Sequence, residues 1–525
     1  MADLHIQINR ENGGIAGQIA AELRAAIRGG RLAPGTRLPA TRDLAADLQV
    51  SRGVVVEAYE QLVAEGFLVS RVGAGTRVTP RTPTAPDPTP PPTPQPAPPP
   101  KPRSAPPHNL QPALPHNLQP APPRNLQPAS PPKPQSALVR DAPPAAAPRD
   151  PGAGVAASRR SYYGHRPTSP DLAQFPRQGW LAAVRHVLTS VPSDALDYGD
   201  PGGVPELREE LAGYLRRVRA ADVRPENLVI VGGVAQGLSL VVHVLSRERE
   251  LRLAVEDPTS LGQVPLLRRA GARLVPVPVD EEGLDVRRLT GEAALVTPAH
   301  QFPTGVVLSP SRRAALVEWA QAGDRFVLED DYDAEFRFDR DPVGCLQGFA
   351  PDRVVLSGSV SKALAPGLRL GWVAAPPELA EAVRRARGEL DLGSPVVDQY
   401  ALAHFLRTGG YDRHLRRMRR EYRRRRDALV AALSEELPQV RVKGIEAGLH
   451  VYLELPDGWT EQEVVRAARE LGLSAEAVGP MREFAGPPAV VVGFARLPAH
   501  QAAEVAHGLK VRMSGQKIDR GGHLA

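Results

Sequence analysis

The 525-residue chain is predicted to be multidomain: a small helical head closed by a β-hairpin, a proline-rich segment, and a larger α/β body. Three observations predict this. The hydrophobic period changes from four residues to two within the first eighty positions. The next eighty are crowded with proline, and beyond residue 165 short β-rich apolar runs alternate with helical ones. With 42% hydrophobic residues the chain can bury at least two cores, since single domains run to ~100–250 residues.

In the head, Ile15, Ile19, Leu23 and Ile27 recur every fourth residue, an amphipathic helix stopped by Gly29 and Gly30. LAPGTRLPATRDLA then gives a Pro-Gly turn and a short helix with Leu44 and Leu48 inward. After a tight QVS turn, Ser51 is placed to cap a further helix carrying Val55, Tyr59 and Leu62 on one side. Two short helices around a tight turn make a helix-turn-helix. FLVSRVGAGTRVTP alternates as a hairpin with glycines at its tip, the wing. In such a unit the start of the second helix can enter a major groove, where arginine pairs with guanine, while glycine amides in the wing approach phosphates. Arg42, Ser51, Arg52, Gly53, Gly73, Gly75 and Thr76 are the candidate contacts to double-stranded DNA. The plainer reading of Arg42 and Arg52 is solvated surface.

Residues 81–160 carry nine Lys/Arg against three Asp/Glu, so the whole +6 formal charge of the chain sits there. Of 56 prolines, 26 fall between Pro83 and Pro148, around an octad repeated as PPHNLQPA, LPHNLQPA and PPRNLQPA. Proline fixes φ and removes backbone donors, and one leucine per octad supplies no apolar face. The segment is expected to be a disordered, extended, basic spacer. A single cysteine, Cys345, excludes an intrachain disulfide framework. Neither a secretory apolar region nor a run near the ~18 residues of a membrane span is present, and a cytoplasmic protein with no membrane partner is expected.

The body reads as strands LVIV at 228, LRLAVE at 251, RLVPVPV at 273, AALVT at 293, RFVLE at 325 and RVVLS at 353, separated by helices: a largely parallel sheet. Beyond Pro395 an Arg-rich helical segment, two strand pieces (HVYLEL and AVVVGFA) and further helices suggest a smaller α+β lobe. Sites in such sheets form at the carboxyl ends of strands, where three motifs fall. In EDDYDAEF, Asp330 can hold a heteroaromatic nitrogen protonated and Tyr332 can bond a phenolate oxygen. In SVSKALAPGLR, Lys362 is a Schiff-base amine, with Ser359, Ser361 and Arg369 for a phosphate. GGVAQGL opens a helix whose amides at Gly233, Val234 and Ala235 can cradle that phosphate. Singly each is weak, since acidic clusters after strands are commonly caps or metal ligands. Together they describe pyridoxal 5'-phosphate. His300 and Gln301 can line the cofactor edge, though a structural histidine reads equally well; no metal is expected.

TPAHQFPTG, EDDYDAEF and SVSKALAPGLRLGW resemble the fold type I aminotransferases over roughly residues 165–512. LPATRDLA, VSR, AYEQLVAEG and GAGT resemble the winged-helix head of the GntR regulators over residues 5–79. Joined, they resemble the MocR family of pyridoxal-phosphate-dependent transcriptional regulators. The resemblance implies a homodimer, with the head of one subunit near the body of the other. It divides the chain into a head (1–80), linker (81–160), body (161–512) and a tail (513–525) expected to be disordered. Departures bear on chemistry. Gly53 and Val54 stand where small hydroxyl residues are usual, Ser260 where relatives carry tyrosine, and Thr168 and Ser169 where a glycine turn is typical. Val491 takes the place of the arginine that grips an α-carboxylate, with Arg482 or Arg496 as substitutes. The expected function is therefore a regulator whose operator affinity is set by pyridoxal phosphate, or by an amine or amino acid reacting with it, with Lys362 used for sensing. The alternatives are a working aminotransferase with an accessory head, and a general nucleoid-binding protein that grips DNA through the basic linker.

Overall fold

A computed structural model describes residues 15–28, 31–65, 67–71, 75–79, 166–333, 335–338 and 344–521. The linker with its octads, and Gly73 of the wing, lie outside the described residues.

The head consists of α1 (Ile15–Arg28), α2 (Thr41–Asp47), α3 (Arg52–Glu65) and the hairpin β1 (Leu68–Arg71) with β2 (Gly75–Val78). Gln49, at φ 50°, makes the tight turn between α2 and α3. Ile19, Leu23, Leu44, Val55, Tyr59 and Leu62 close one core, as the four-residue spacing requires. The Tyr59 hydroxyl donates to the Pro39 carbonyl at 3.0 Å, which fixes α3 against the segment leading into α2. In the wing Leu68 faces Val78 and Arg71 faces Gly75. The backbone amides of Leu38 and Val78 donate to Thr76 and Thr36, which sews the wing to the chain before α2.

The body begins with α4 (Arg177–Ser190) and α5 (Pro205–Arg219). It continues through β3 (Leu228–Val231), α6 (Val234–Leu245), β4 (Leu251–Asp257), α7 (Val264–Arg269), β5 (Ala272–Asp280), β6 (Gly283–Leu284), β7 (Ala293–Val296), α8 (Pro310–Ala322), β8 (Phe326–Asp330), β9 (Val354–Ser359) and β10 (Gly371–Ala374). The strands form one sheet in the order β3-β10-β9-β8-β7-β4-β5-β6. Strands β5, β4, β7, β8 and β9 are mutually parallel, whereas β10 runs antiparallel to both its neighbours. The six anticipated strands are all present. The antiparallel β10, which starts at the last two residues of GLRLGW, was not anticipated: its four residues, all buried, give no alternation to read. Strands β3, β7 and β9 are buried at every position, as expected of a sheet covered on both faces.

A second lobe follows α9 (Pro377–Asp391), α10 (Val396–Arg407) and the 27-residue α11 (Gly410–Glu436). It comprises β11 (Arg441–Lys443), β12 (His450–Glu454), α12 (Glu461–Glu470), β13 (Ser474–Ala477), β14 (Ala489–Gly493) and α13 (Ala502–Gly521), its sheet antiparallel in the order β11-β12-β14-β13. Thr460 caps α12 with Glu463 reaching back, a capping box. Among the described residues no helix is long and apolar enough to cross a membrane.

Candidate cofactor site and DNA-binding face

Strand register assembles the site. Gly371 of β10 lies between Ser359 of β9 and Val231 of β3, so the Ser359–Arg369 turn stands beside the Gly232–Gly233 opening of α6. Gly371 permits this closeness, because a Cβ there would come 2.8 Å from the Gly233 Cα. Arg369 takes the left-handed conformation, φ 51°, and its guanidinium donates to the Gly232 carbonyl. Gly233, at φ 96°, caps α6, and a Cβ on it would meet that guanidinium at 3.1 Å. The opening amides of α6, at Val234 and Ala235, have no partner within the helix. A helix terminus, an arginine and Ser359 thus converge on one spot, an arrangement that suits a phosphate. Ser361 donates its amide to the Ser359 hydroxyl at 3.3 Å, closing the same turn.

Lys362 is partly buried and its Nζ donates to the Thr168 hydroxyl at 3.0 Å. Burial lowers its pKa, an effect opposed by the carboxylates of Asp333 and Asp330. Free amine, the nucleophilic form, is therefore more available at neutral pH than on an exposed lysine. Asp330 ends β8. Its Oδ2 accepts from Gln263 Nε2 at 2.6 Å, while its buried Oδ1 has no partner among the described residues. Burial, with a further push from Asp331, raises the carboxyl to about 7. Tyr332 places its hydroxyl 3.0 Å from His300 Nδ1, which is also 3.0 Å from Asp333 Oδ2. His450 donates from Nε2 to the Pro303 carbonyl at 3.2 Å, and its buried Nδ1 has no partner among the described residues. Polar atoms of His300, Asp333 and His450 all lie within 4.8 Å of one another. His300 Nδ1 is already engaged by both Tyr332 and Asp333, so the group forms a network around the phenol.

Lys362, Asp330, Tyr332, His300, Ser359, Arg369 and Gly233 are thus brought together. Gln301 is not: its amide is spent on the loop, donating to the Pro258 and Phe302 carbonyls and accepting from Thr304. The sequence reading missed Gln263, Asp333, His450 and the Thr168 contact. Thr168, which stands where a glycine turn is typical of relatives, is the hydrogen-bond partner of Lys362.

Val491 is fully buried and packs with Tyr452 and Phe302. Its cross-strand partners are Tyr452 and Glu476. Neither proposed substitute arginine is at this position. Arg482 donates to the Tyr452 hydroxyl from the edge of a cleft of about 910 Å³, and Arg496 donates to the Pro170 carbonyl at 2.9 Å.

On the head, Arg42, Ser51, Arg52 and Gly53 are exposed around the start of α3. Arg52 Nε lies 3.4 Å from the Thr41 hydroxyl, which holds the guanidinium at the α2–α3 junction. In the wing, Gly75 has φ 78° and the Thr76 hydroxyl bonds Ser70 at 3.3 Å.

Residues 171–509 match the family model for aminotransferase class I and II, and residues 15–78 match that for bacterial regulatory proteins of the gntR family. The body is similar to LysN, an α-aminoadipate aminotransferase of Thermus thermophilus, with TM-score 0.60 and 28% identity, covering 67% of this chain and 92% of that one. The fold and site therefore define an aminotransferase-like domain carrying a GntR-type winged helix-turn-helix.

Relatives share both parts. The chain is 33% identical over 460 residues to the HTH-type pyridoxine biosynthesis transcriptional regulator PdxR of Corynebacterium glutamicum, covering 86% of each. It is 30% identical over 500 residues to the probable rhizopine catabolism regulatory protein MocR of Rhizobium meliloti, covering 94% of this chain and 92% of that one. It belongs to the MocR family of HTH-type transcriptional regulators with an aminotransferase-like domain.

Proposed function

We propose that this regulator binds pyridoxal 5'-phosphate through Lys362, and that the cofactor, or an amine or amino acid reacting with it, sets the affinity of the head for a double-stranded operator. The observation that carries the cofactor reading is the unpartnered, buried Oδ1 of Asp330. A buried carboxylate oxygen without a donor is costly, and a protonated ring nitrogen supplies both the donor and the counter-charge. Gln263 fixes the other oxygen and so aims Oδ1. Tyr332, held by His300, is positioned for the phenolic oxygen. Ser359, Arg369 and the opening of α6 are positioned for the phosphate, with Ser361 bracing the turn. When bound, the cofactor offers an aldehyde carbon to amines and a ring that withdraws electrons from it. Thr168 and the local carboxylates keep the Lys362 amine in place and balance its charge.

Borohydride reduction of cofactor-treated protein followed by peptide mapping tests this. The pyridoxyl group is expected on Lys362; label on another lysine, or none, would remove the basis of the proposal. A working aminotransferase is disfavoured by the buried Val491, which leaves no cation on that strand for an α-carboxylate, and an amino-acid screen for sustained turnover separates the two readings. Also part of the proposal are the head, linker, body and tail boundaries, a homodimer and a cytoplasmic location. So are contacts to DNA from Arg42, Ser51, Arg52, Gly53, Gly73, Gly75 and Thr76.

A further inference from the structure

In the small sheet Tyr452, Val491 and Glu476 lie opposite one another and share a face, while the alternate residues Val451, Ala475, Val490 and Val492 point the other way and fill the core behind it. Val491 and Tyr452 pack with Phe302, whose ring meets Tyr332 edge-on with centroids 6.1 Å apart. Glu476, directly opposite Val491, therefore borders the pocket that holds the Tyr332 phenol.

Glu476 is half-buried, and among the described residues its carboxylate accepts no hydrogen bond and joins no ion pair. Burial raises its pKa, while the charges of Arg166, Arg469 and Lys362 oppose the rise. Three cations are felt by it and none is bonded to it. Arg469 spends a donor on the Ala475 carbonyl at 3.3 Å. Arg166 is exposed, and a Cβ on Gly262 would meet its Nη1 at 3.5 Å, which sets the guanidinium beside the turn whose Gln263 holds Asp330. Two residues on, Thr168 bonds Lys362. Arg166 and Glu476 thus share the surroundings of the Lys362 amine, which feels both charges. The cavity that Glu476 lines, of about 640 Å³, has an apolar wall made by Leu261, Val465, Ala477, Pro480 and Met481.

We propose that Glu476 selects the amine admitted to the cofactor site, and that this amine is a linear diamine: one nitrogen meets the cofactor and the second, protonated, is bound by the Glu476 carboxylate. This rests on the reading that Lys362 holds the cofactor. A half-buried carboxylate without donors has lost part of its hydration and gains from a cation that reaches it. A neutral alkyl group supplies no charge, and a carboxylate on the ligand meets a like one. The alkyl chain between the two nitrogens suits the apolar surface of Val491 and the cavity wall. Arg166, exposed and bonded to nothing among the described residues, is the cation that the second ammonium displaces.

The test titrates cofactor-loaded full-length protein with 1,4-diaminobutane, 1-aminobutane and 2-aminobutanoate and follows the cofactor absorbance. Wild type is expected to bind the diamine roughly tenfold more tightly than the monoamine, a charged hydrogen bond discounted for partial exposure, with the amino acid weakest. The ratio is expected to fall toward one in Glu476→Gln, with the cofactor band retained, and to grow in Arg166→Gln. A ratio kept in full by Glu476→Gln overturns the role of Glu476, and a ratio lowered by Arg166→Gln overturns the competition. Borohydride labelling tells the two levels of failure apart. No pyridoxyl group on Lys362 removes the cofactor reading and this inference with it, whereas a labelled Lys362 in a wild type that binds diamine and monoamine alike overturns this inference alone.

Discussion

The two walls of the candidate cofactor site are built differently. On the large-sheet side Ser359, Lys362, Arg369 and Gly233 are brought together by the register of three adjacent strands, with Asp330 at the end of a fourth. Each offers the charge or donor that a phosphorylated pyridine requires. On the small-sheet side Tyr452, Val491 and Glu476 sit opposite one another across three strands and so share a face. There the strand offers an apolar residue between a phenol and an acid whose field reaches Lys362. An α-carboxylate needs a cation at that place, and orientation by such a clamp accounts for much of the rate in amino-group chemistry. On the proposed reading, the grip on the cofactor is kept while that strand offers no cation to a substrate carboxylate, a combination suited to sensing.

The largest expected effect is on the large-sheet wall. Lys362→Ala abolishes borohydride-stable labelling, and Asp330→Ala weakens cofactor retention by ~1.5–3 kcal/mol, the worth of a hydrogen bond to a charged group, read by equilibrium dialysis. Asp330→Ala with undiminished retention breaks the contrast at its stronger side. Next is Arg52→Ala, expected to cost ~1–3 kcal/mol toward a selected duplex without altering cofactor absorbance. Equal loss on random DNA makes Arg52 a phosphate contact.

A pH effect follows from Asp330, whose carboxyl is raised from 3.8 to about 7 in the cofactor-free fold. Between those values the folded state holds more protons than the unfolded one, so this group's effect on stability is absent below the lower value and becomes increasingly unfavourable up to the upper one. Stability of cofactor-free protein is expected to fall over that window. The slope is expected to be shallower in Asp330→Asn and in cofactor-loaded protein, read by thermal unfolding; slopes identical in all three would contradict the burial argument. The smallest effect is Thr168→Ala, which removes one hydrogen bond to Lys362 and is expected to cost ~0.5–1.5 kcal/mol of cofactor retention. An effect as large as that of Asp330→Ala would make Thr168 a direct cofactor ligand.

The sequence made the large-sheet wall legible because its residues lie in short local motifs at strand ends, where lysine, aspartate and arginine announce their chemistry. The small-sheet wall was half legible. Val491 was read at the place of the missing arginine, but Glu476 lies in SAEA, too polar and short to read as a strand. Partners brought in from afar were invisible: Gln263 reaches Asp330 across 67 residues and Thr168 reaches Lys362 across 194. For Gln301, its place in the loop after a strand says nothing of where its amide points. The head was read almost completely, since period four followed by period two suffices for helices and a hairpin.

The most direct test is operator affinity measured for cofactor-free protein, for protein with pyridoxal phosphate, and for loaded protein with a panel of amines and amino acids. Affinity that changes on loading, with a smaller response to amino acids that carry an α-carboxylate, is the predicted result. Affinity that is the same in every state, together with sustained transamination of an amino acid, would contradict it.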